Sequence, residues 1–161
     1  MKDFWKAFLG VLLISMDVSI AQVAELNPSP QLSPEDVVRF QITALQHNDD
    51  PHSDAGIERT FRFASPSNKS VTGPLEHFIR IVKSAAYLPM INSHDSAVIG
   101  SRVDGANARV VVRITPEEGP QQMYLFLLTK QQTGEFADCW MTDGVIPVRA
   151  GESPPDEPIT I

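Results

Sequence analysis

A chain of 161 residues is about one domain's worth of protein, and its 42% hydrophobic and 20% charged content is ordinary globular material, neither disordered nor multi-span membrane. The formal net charge of −7 and a pI near 5.0 leave no basic footprint for nucleic acid or for an anionic membrane. Cys139 is the single cysteine, which excludes an intrachain disulfide and a thiolate metal cluster.

Residues 1–24 read as a signal peptide. Lys2 and Lys6 make the start positive, and residues 8–16 (F-L-G-V-L-L-I-S-M) form an apolar run well short of the ~20 residues a membrane span needs. Ser19 and Ala21 place small residues at positions −3 and −1 of a cleavage site before Gln22, with a cut after Ala24 as the alternative. No cysteine follows the run, so a bacterial lipoprotein anchor is ruled out. The competing readings are a buried amphipathic helix and an uncleaved anchor. Cleavage implies an exported protein, periplasmic or secreted, with no stable membrane insertion afterwards.

Residues 25–32 hold Asn27-Pro28-Ser29-Pro30, a Pro-rich spacer that suits neither a regular helix nor a central strand. Ser33 as N-cap, Pro34 at the first helical position and Glu35-Asp36 at the positive end of the dipole then predict a helix. Val38, Ile42 and Leu45 recur on one face, widened by Val37 and Phe40, until Asn48-Asp49-Asp50-Pro51 stops it. Ser53 or Asp54 caps a shorter helix with Ile57 and Phe61 one turn apart, although Gly56 in its first turn is unfavourable. Ser65-Pro66 reads as a tight turn, followed by a polar loop at residues 67–70, a candidate rim for a site. Gly73-Pro74 restarts a helix in which Leu75, Phe78, Ile79 and Val82 make the strongest apolar stripe of the chain.

Strand patterning takes over from Tyr87. Tyr87-Leu88-Pro89-Met90-Ile91 reads as an edge strand or extended connector because of its proline. Residues 97–104 and 108–115 flank Gly105-Ala106-Asn107 as a hairpin, with Val110, Val112 and Ile114 on one face and Arg109, Val111 and Arg113 on the other. Residues 122–130 are apolar on both faces, as in a central strand, and residues 136–148 carry a final strand with Trp140. Residues 149–161 are acidic and Pro-rich and read as a flexible tail. Helices followed by an antiparallel meander argue for a single α+β domain over residues 33–148, its N-terminal helices packed on one face of a curved antiparallel sheet.

Phe61-Arg62-Phe63-Ala64-Ser65-Pro66, then Gly73-Pro74-Leu75-Glu76-His77-Phe78, then Val82 and Tyr87-Leu88-Pro89-Met90, resemble the domain of unknown function 4864 family. That family's pattern runs approximately F-x-F-A-S-P, a short spacer, G-x-P-E-x-F, then M-V and a G-Y-P-M-like step. Cys139-Trp140-Met141-Thr142-Asp143-Gly144-Val145 is similar to its closing W-x-x-x-G-V strand, so the resemblance extends over residues 37–148. The chain departs where Pro74 follows Gly73 directly, where Ala86 precedes Tyr87 in place of glycine, and where Leu88 separates Tyr87 from Pro89. These departures suit a divergent branch. The family is similar to the nuclear transport factor 2-like superfamily, which implies helices wrapped against a strongly curved sheet in a cone-shaped barrel. No activity comes with the resemblance, because that superfamily hosts isomerases, dehydratases, hydrolases and non-catalytic binding domains.

A cone offers one natural pocket between its concave face and the helices. The pocket candidates are Tyr87, Arg109, Arg113, Tyr124 and Asp138; no residue stands out as catalytic. Arg109 and Arg113 share a strand face and could clamp a carboxylate or phosphate, or simply solvate an outer face. Tyr87 and Tyr124 read equally as core aromatics with tethered hydroxyls. Asp138 and Asp143 have opposite strand parity and cannot form a carboxylate pair without a bulge. His77 lies off the apolar stripe, and Cys139 reads as a small buried residue. His47, His52 and the His94-Asp95 pair lack metal-ligand spacing, and no G-x-S-x-G or phosphate-binding glycine loop occurs, so neither metal nor cofactor is expected. Asn68-Lys69-Ser70 fits a glycosylation sequon, which matters only in a host that glycosylates exported proteins. The pattern points to an exported, soluble, non-catalytic module that binds an apolar small molecule or another protein. The alternative is a small isomerase, dehydratase or hydrolase acting on an apolar substrate in the cone. A third reading is an outer-face interaction factor, possible also as a homodimer.

Overall fold

Ser33 opens the first helix, α1 (Pro34–Gln46), with a full capping box. Its hydroxyl accepts from the Asp36 N–H at 3.1 Å, and the Asp36 carboxylate accepts from the Ser33 N–H at 3.0 Å. The Ser33 hydroxyl, which also donates to the Asp36 carboxylate at 2.6 Å, and the Ser33 N–H together hold that carboxyl below the ordinary carboxylate range. The computed structural model describes residues 26–149. The expected signal peptide, and all of the expected tail after Arg149, lie outside the described residues. Val37, Val38, Phe40, Ile42 and Leu45 are all buried, as their spacing predicts.

Helix α2 (Ala55–Arg62) starts where expected, but not by side-chain capping. Asp54 takes the N-cap position in the left-handed region at φ 66, and its carboxylate instead receives the Lys83 ammonium at 2.7 Å. Gly56 has a packing reason. A Cβ there would lie 2.0 Å from the Ala44 carbonyl oxygen, so α1 and α2 cross backbone against backbone.

Two local expectations upstream of the sheet are corrected. Ser65-Pro66 starts not a loop but a further helix, α3 (Pro66–Thr72), with Ser65 accepting from the Asn68 N–H at 3.1 Å and Pro66 at the first position. Tyr87-Leu88-Pro89-Met90-Ile91 is not a strand; it holds a 3-10 turn (Leu88–Met90) that drives Met90 into the core. Between them, α4 (Leu75–Val82) buries Phe78 and Val82 and leaves Leu75 and Ile79 half-buried.

The four strands, β1 (Asp95–Asp104), β2 (Asn107–Thr115), β3 (Gln122–Lys130) and β4 (Trp140–Val148), pair antiparallel in the order β1-β2-β3-β4. Gly105, at φ 57, makes the tight β1–β2 turn that its sequence announces. The last strand begins at Trp140 rather than Phe136, because Asp138 adopts φ 64 and closes a turn first. Val110, Val112 and Ile114 with Tyr124, Phe126 and Leu128 form the inner sheet face, packed against α1 and the other helices. The result is an α+β fold, with the helices on one face of the sheet.

Candidate functional site

The inner sheet face, where the resemblance implies a pocket, is packed with side chains among the described residues. Phe78, Phe126 and Trp140 are buried there. Tyr124 is wholly buried and donates its hydroxyl to the Ala86 carbonyl at 3.0 Å. Burial, with a smaller contribution from Tyr87, pushes its phenol up to about 12. Tyr87 donates to the Val145 carbonyl at 3.0 Å, and the two rings lie 6.4 Å apart. Both hydroxyls tie the segment after α4 to the sheet, so neither is presented to a substrate. A shallow recess of about 150 Å³ remains at the margin between α1 and β1, bordered by Ile42, Thr43, Ser96 and Val98.

The other pocket candidates do not join the tyrosines. Arg109 and Arg113 stand on the opposite, outer face, across from Leu127 and Met123 of β3. Asp138 is exposed in the β3–β4 turn. Asp143 is the extra residue of a bulge, since Leu127 pairs with Gly144 and Leu128 with Thr142; its carboxylate accepts from the Thr129 hydroxyl. Cys139 is buried, and that burial, with Asp138 nearby, raises its thiol pKa, which disfavours a nucleophilic role. Among the described residues no three His, Cys, Asp or Glu side chains gather as a metal site requires.

Charged and aromatic groups do converge elsewhere, in a cleft of about 310 Å³ lined by Asn27, Pro28, Arg62, Lys69, Glu135 and Phe136. Its geometry starts with α3. That helix buries none of its residues, so hydrogen bonds rather than an apolar stripe hold it. The Asn68 amide donates to the Thr142 carbonyl of β4 at 3.0 Å, and Thr72 donates back to the Asn68 side chain at 2.9 Å. The sequon amide is therefore already engaged. Anchored this way, α3 turns Lys69 over the C-terminal end of α2, where its ammonium donates to the Arg62 carbonyl at 3.1 Å.

The same ammonium lies 5.5 Å from the ring centre of Phe61 and 5.4 Å from that of Phe136, within cation–π range of both. Burial lowers the Lys69 pKa, and Glu135 partly offsets the shift. Two cations thus face one carboxylate around an apolar lining of Pro28 and Phe136. Arg62 and Asn27 are both engaged in further interactions of their own. Of these residues, only Lys69 falls among the candidate-site residues of the sequence, as part of the polar rim at 67–70. The signal the sequence lacked was the helical state of residues 66–72, which turns Lys69 towards Phe61 and Phe136.

The family model described as domain of unknown function DUF4864 matches residues 30–153, and the chain belongs to that family. In the solution structure of a SEC-C motif containing protein from Rhodopseudomonas palustris, 16% identity accompanies a TM-score of 0.48, over 73% of this chain and 80% of that one. No curated protein matches the chain.

Proposed function

We propose that this member of the DUF4864 family is an exported, non-catalytic binding module whose cleft beside α3 takes a small amphipathic anion. The observation that carries the reading is the Lys69 ammonium, held against the Phe61 and Phe136 rings at the cleft. Among the described residues no carboxylate pairs with it at ion-pair distance. A ligand carboxylate would supply that missing partner as a charge-assisted hydrogen bond, while its apolar body covers Phe136 and Pro28. The non-catalytic part of the reading is supported by the binding of the Tyr87 and Tyr124 hydroxyls to backbone carbonyls and by the place of Asp138 in the exposed β3–β4 turn, because acid–base catalysis needs free groups within reach of one another. Export is supported by the positive start, apolar run and small residues of positions 1–24.

Calorimetric titration with phenylacetate and with its neutral amide tests the site. The expected result is binding of the acid in preference to the amide, abolished in Lys69→Met. Equal binding of acid and amide, or an unchanged affinity in the variant, would overturn the assignment. N-terminal sequencing of the protein recovered outside the cytoplasm tests export separately. A mature chain starting at Gln22 or Glu25 is expected, and one retaining residues 8–16 would contradict cleavage.

A further inference from the structure

The two edges of the sheet are treated differently. On β4 the Thr142 N–H donates to the Phe63 carbonyl at 2.8 Å, and the Thr142 carbonyl accepts from the Ser65 N–H at 2.9 Å. The Val145 carbonyl takes the Tyr87 hydroxyl, and Pro147 has no N–H to offer. That edge is closed. On the far side of β1 no described strand pairs, and Ile99 and Val103 remain 47% and 53% exposed. An open edge of this kind is a template for another strand.

We infer that β1 pairs antiparallel with the β1 strand of a second copy of this chain, about a two-fold axis at Val98. The reason is a self-complementary pattern created by the β1 bulge. Val98 pairs with Val112 and Gly100 with Val111, which leaves Ile99 as the extra residue. Asp95 therefore lies opposite Thr115, and Arg102 opposite Arg109, on the same outer face. Without the bulge, their odd spacing would put Asp95 and Arg102 on opposite faces. Pairing about Val98 sets Ala97 against Gly100, Ser96 against Ser101 and Asp95 against Arg102, twice over, as a closed two-fold interface requires.

Charge supports the same register. Arg102 stands directly across from Arg109 within the chain, a like-charge pairing that is unfavourable on a sheet. Among the described residues neither Asp95 nor Arg102 has an ion-pair partner. Asp95 of the second copy would give Arg102 the counter-charge it lacks within the described residues. A bulge ordinarily blunts an edge; this one sits at the centre of the strand and aligns its charges instead. The pairing is independent of the Lys69 cleft.

Sedimentation equilibrium of the full chain, of Arg102→Asp, of Asp95→Arg and of an equimolar mixture of the two variants tests the inference. The wild-type chain is expected to dimerise, and each charge reversal to weaken the dimer by about tenfold or more, because each creates two like-charge cross-strand pairs. The mixture is expected to recover dimer as a heterodimer, since the two carboxylates of one variant, at positions 95 and 102, then meet the two guanidinium groups of the other, at positions 102 and 95. A monomeric wild-type chain, a dimer indifferent to both reversals, or a mixture that stays monomeric would overturn it. Circular dichroism verifies that both variants fold; were one to unfold, Asp95→Asn and Arg102→Gln remove the attraction without adding repulsion, and an unweakened dimer there overturns the inference equally.

Discussion

Replacing Gln41 by leucine isolates the polar bond that draws α1 onto the sheet. Gln41 is 2% exposed, accepts from the Thr142 hydroxyl at 2.7 Å and donates to the Thr60 carbonyl at 3.2 Å. The Thr60 carbonyl keeps a second donor, the Phe63 N–H, so its loss is small. The Thr142 hydroxyl is left buried with no partner, which costs about 1–3 kcal/mol, and the forfeited amide bond adds about 1 kcal/mol. A loss of roughly 2–4 kcal/mol in urea unfolding is therefore expected for Gln41→Leu. Thr142→Val leaves the Gln41 oxygen unpaired and is expected to cost about 1–3 kcal/mol. In Gln41→Leu/Thr142→Val both polar atoms disappear together, so the double variant should fall short of the sum by about 1–2 kcal/mol. Additivity within about 0.5 kcal/mol would refute the assignment of this pair as a coupled, water-free bond. Thr142 also accepts the Asn68 amide through its backbone, so the same strand position that holds α1 holds α3 and with it Lys69.

Gly56→Ala sets propensity against packing. Alanine gains about 1 kcal/mol in a helix, yet a Cβ 2.0 Å from the Ala44 oxygen and 2.7 Å from the Asn48 Cα demands a backbone shift, so a net loss of about 2 kcal/mol or more is expected in urea unfolding. A gain in stability would show that the two helices do not touch there. For Tyr124, whose folded pKa rises from 10.0 to about 12, the unfolded chain ionises first; stability should be complete below pH 10 and fall as pH rises towards 12. Tyr124→Phe should flatten that decline while costing about 1 kcal/mol at neutral pH for the bond to Ala86. Ser33→Ala should cost about 1 kcal/mol and move the Asp36 pKa, read by NMR, back up towards its ordinary value. The stability that Asp36 contributes is present above the ordinary carboxylate range and lost as pH falls through its lowered value, so the acid limb of the variant should be shallower.

The elements that sequence announces are those in which local chemistry and burial agree. The Ser33-Pro34 start and the Val38, Ile42, Leu45 stripe describe α1, and the alternation after Gly105 describes β2, whereas the bulge at Ile99 leaves β1 without a regular alternation. Helix α3 is illegible by periodicity because nothing in it is buried; only Ser65-Pro66 announces it, through capping. The segment after α4 reads as extended from its proline, but Pro89 serves as well in a 3-10 turn that buries Met90. Strand parity does not govern Asp138 and Asp143, because a left-handed turn and a bulge intervene, and neither leaves a strong mark on composition. The cleft is hidden for a related reason: Arg62, Lys69 and Glu135-Phe136 belong to three separate elements, and the tertiary contacts of α3 bring Lys69 to the other two.

The most direct test of the binding account is an NMR titration of isotopically labelled protein with phenylacetate, following the Lys69 ammonium region and the Phe61 and Phe136 rings. Shifts centred on Lys69, Phe136 and the C-terminal end of α2, with the β2–β3 interior unmoved, are the predicted result. Shifts confined to the recess between α1 and β1, or none at all, would contradict it.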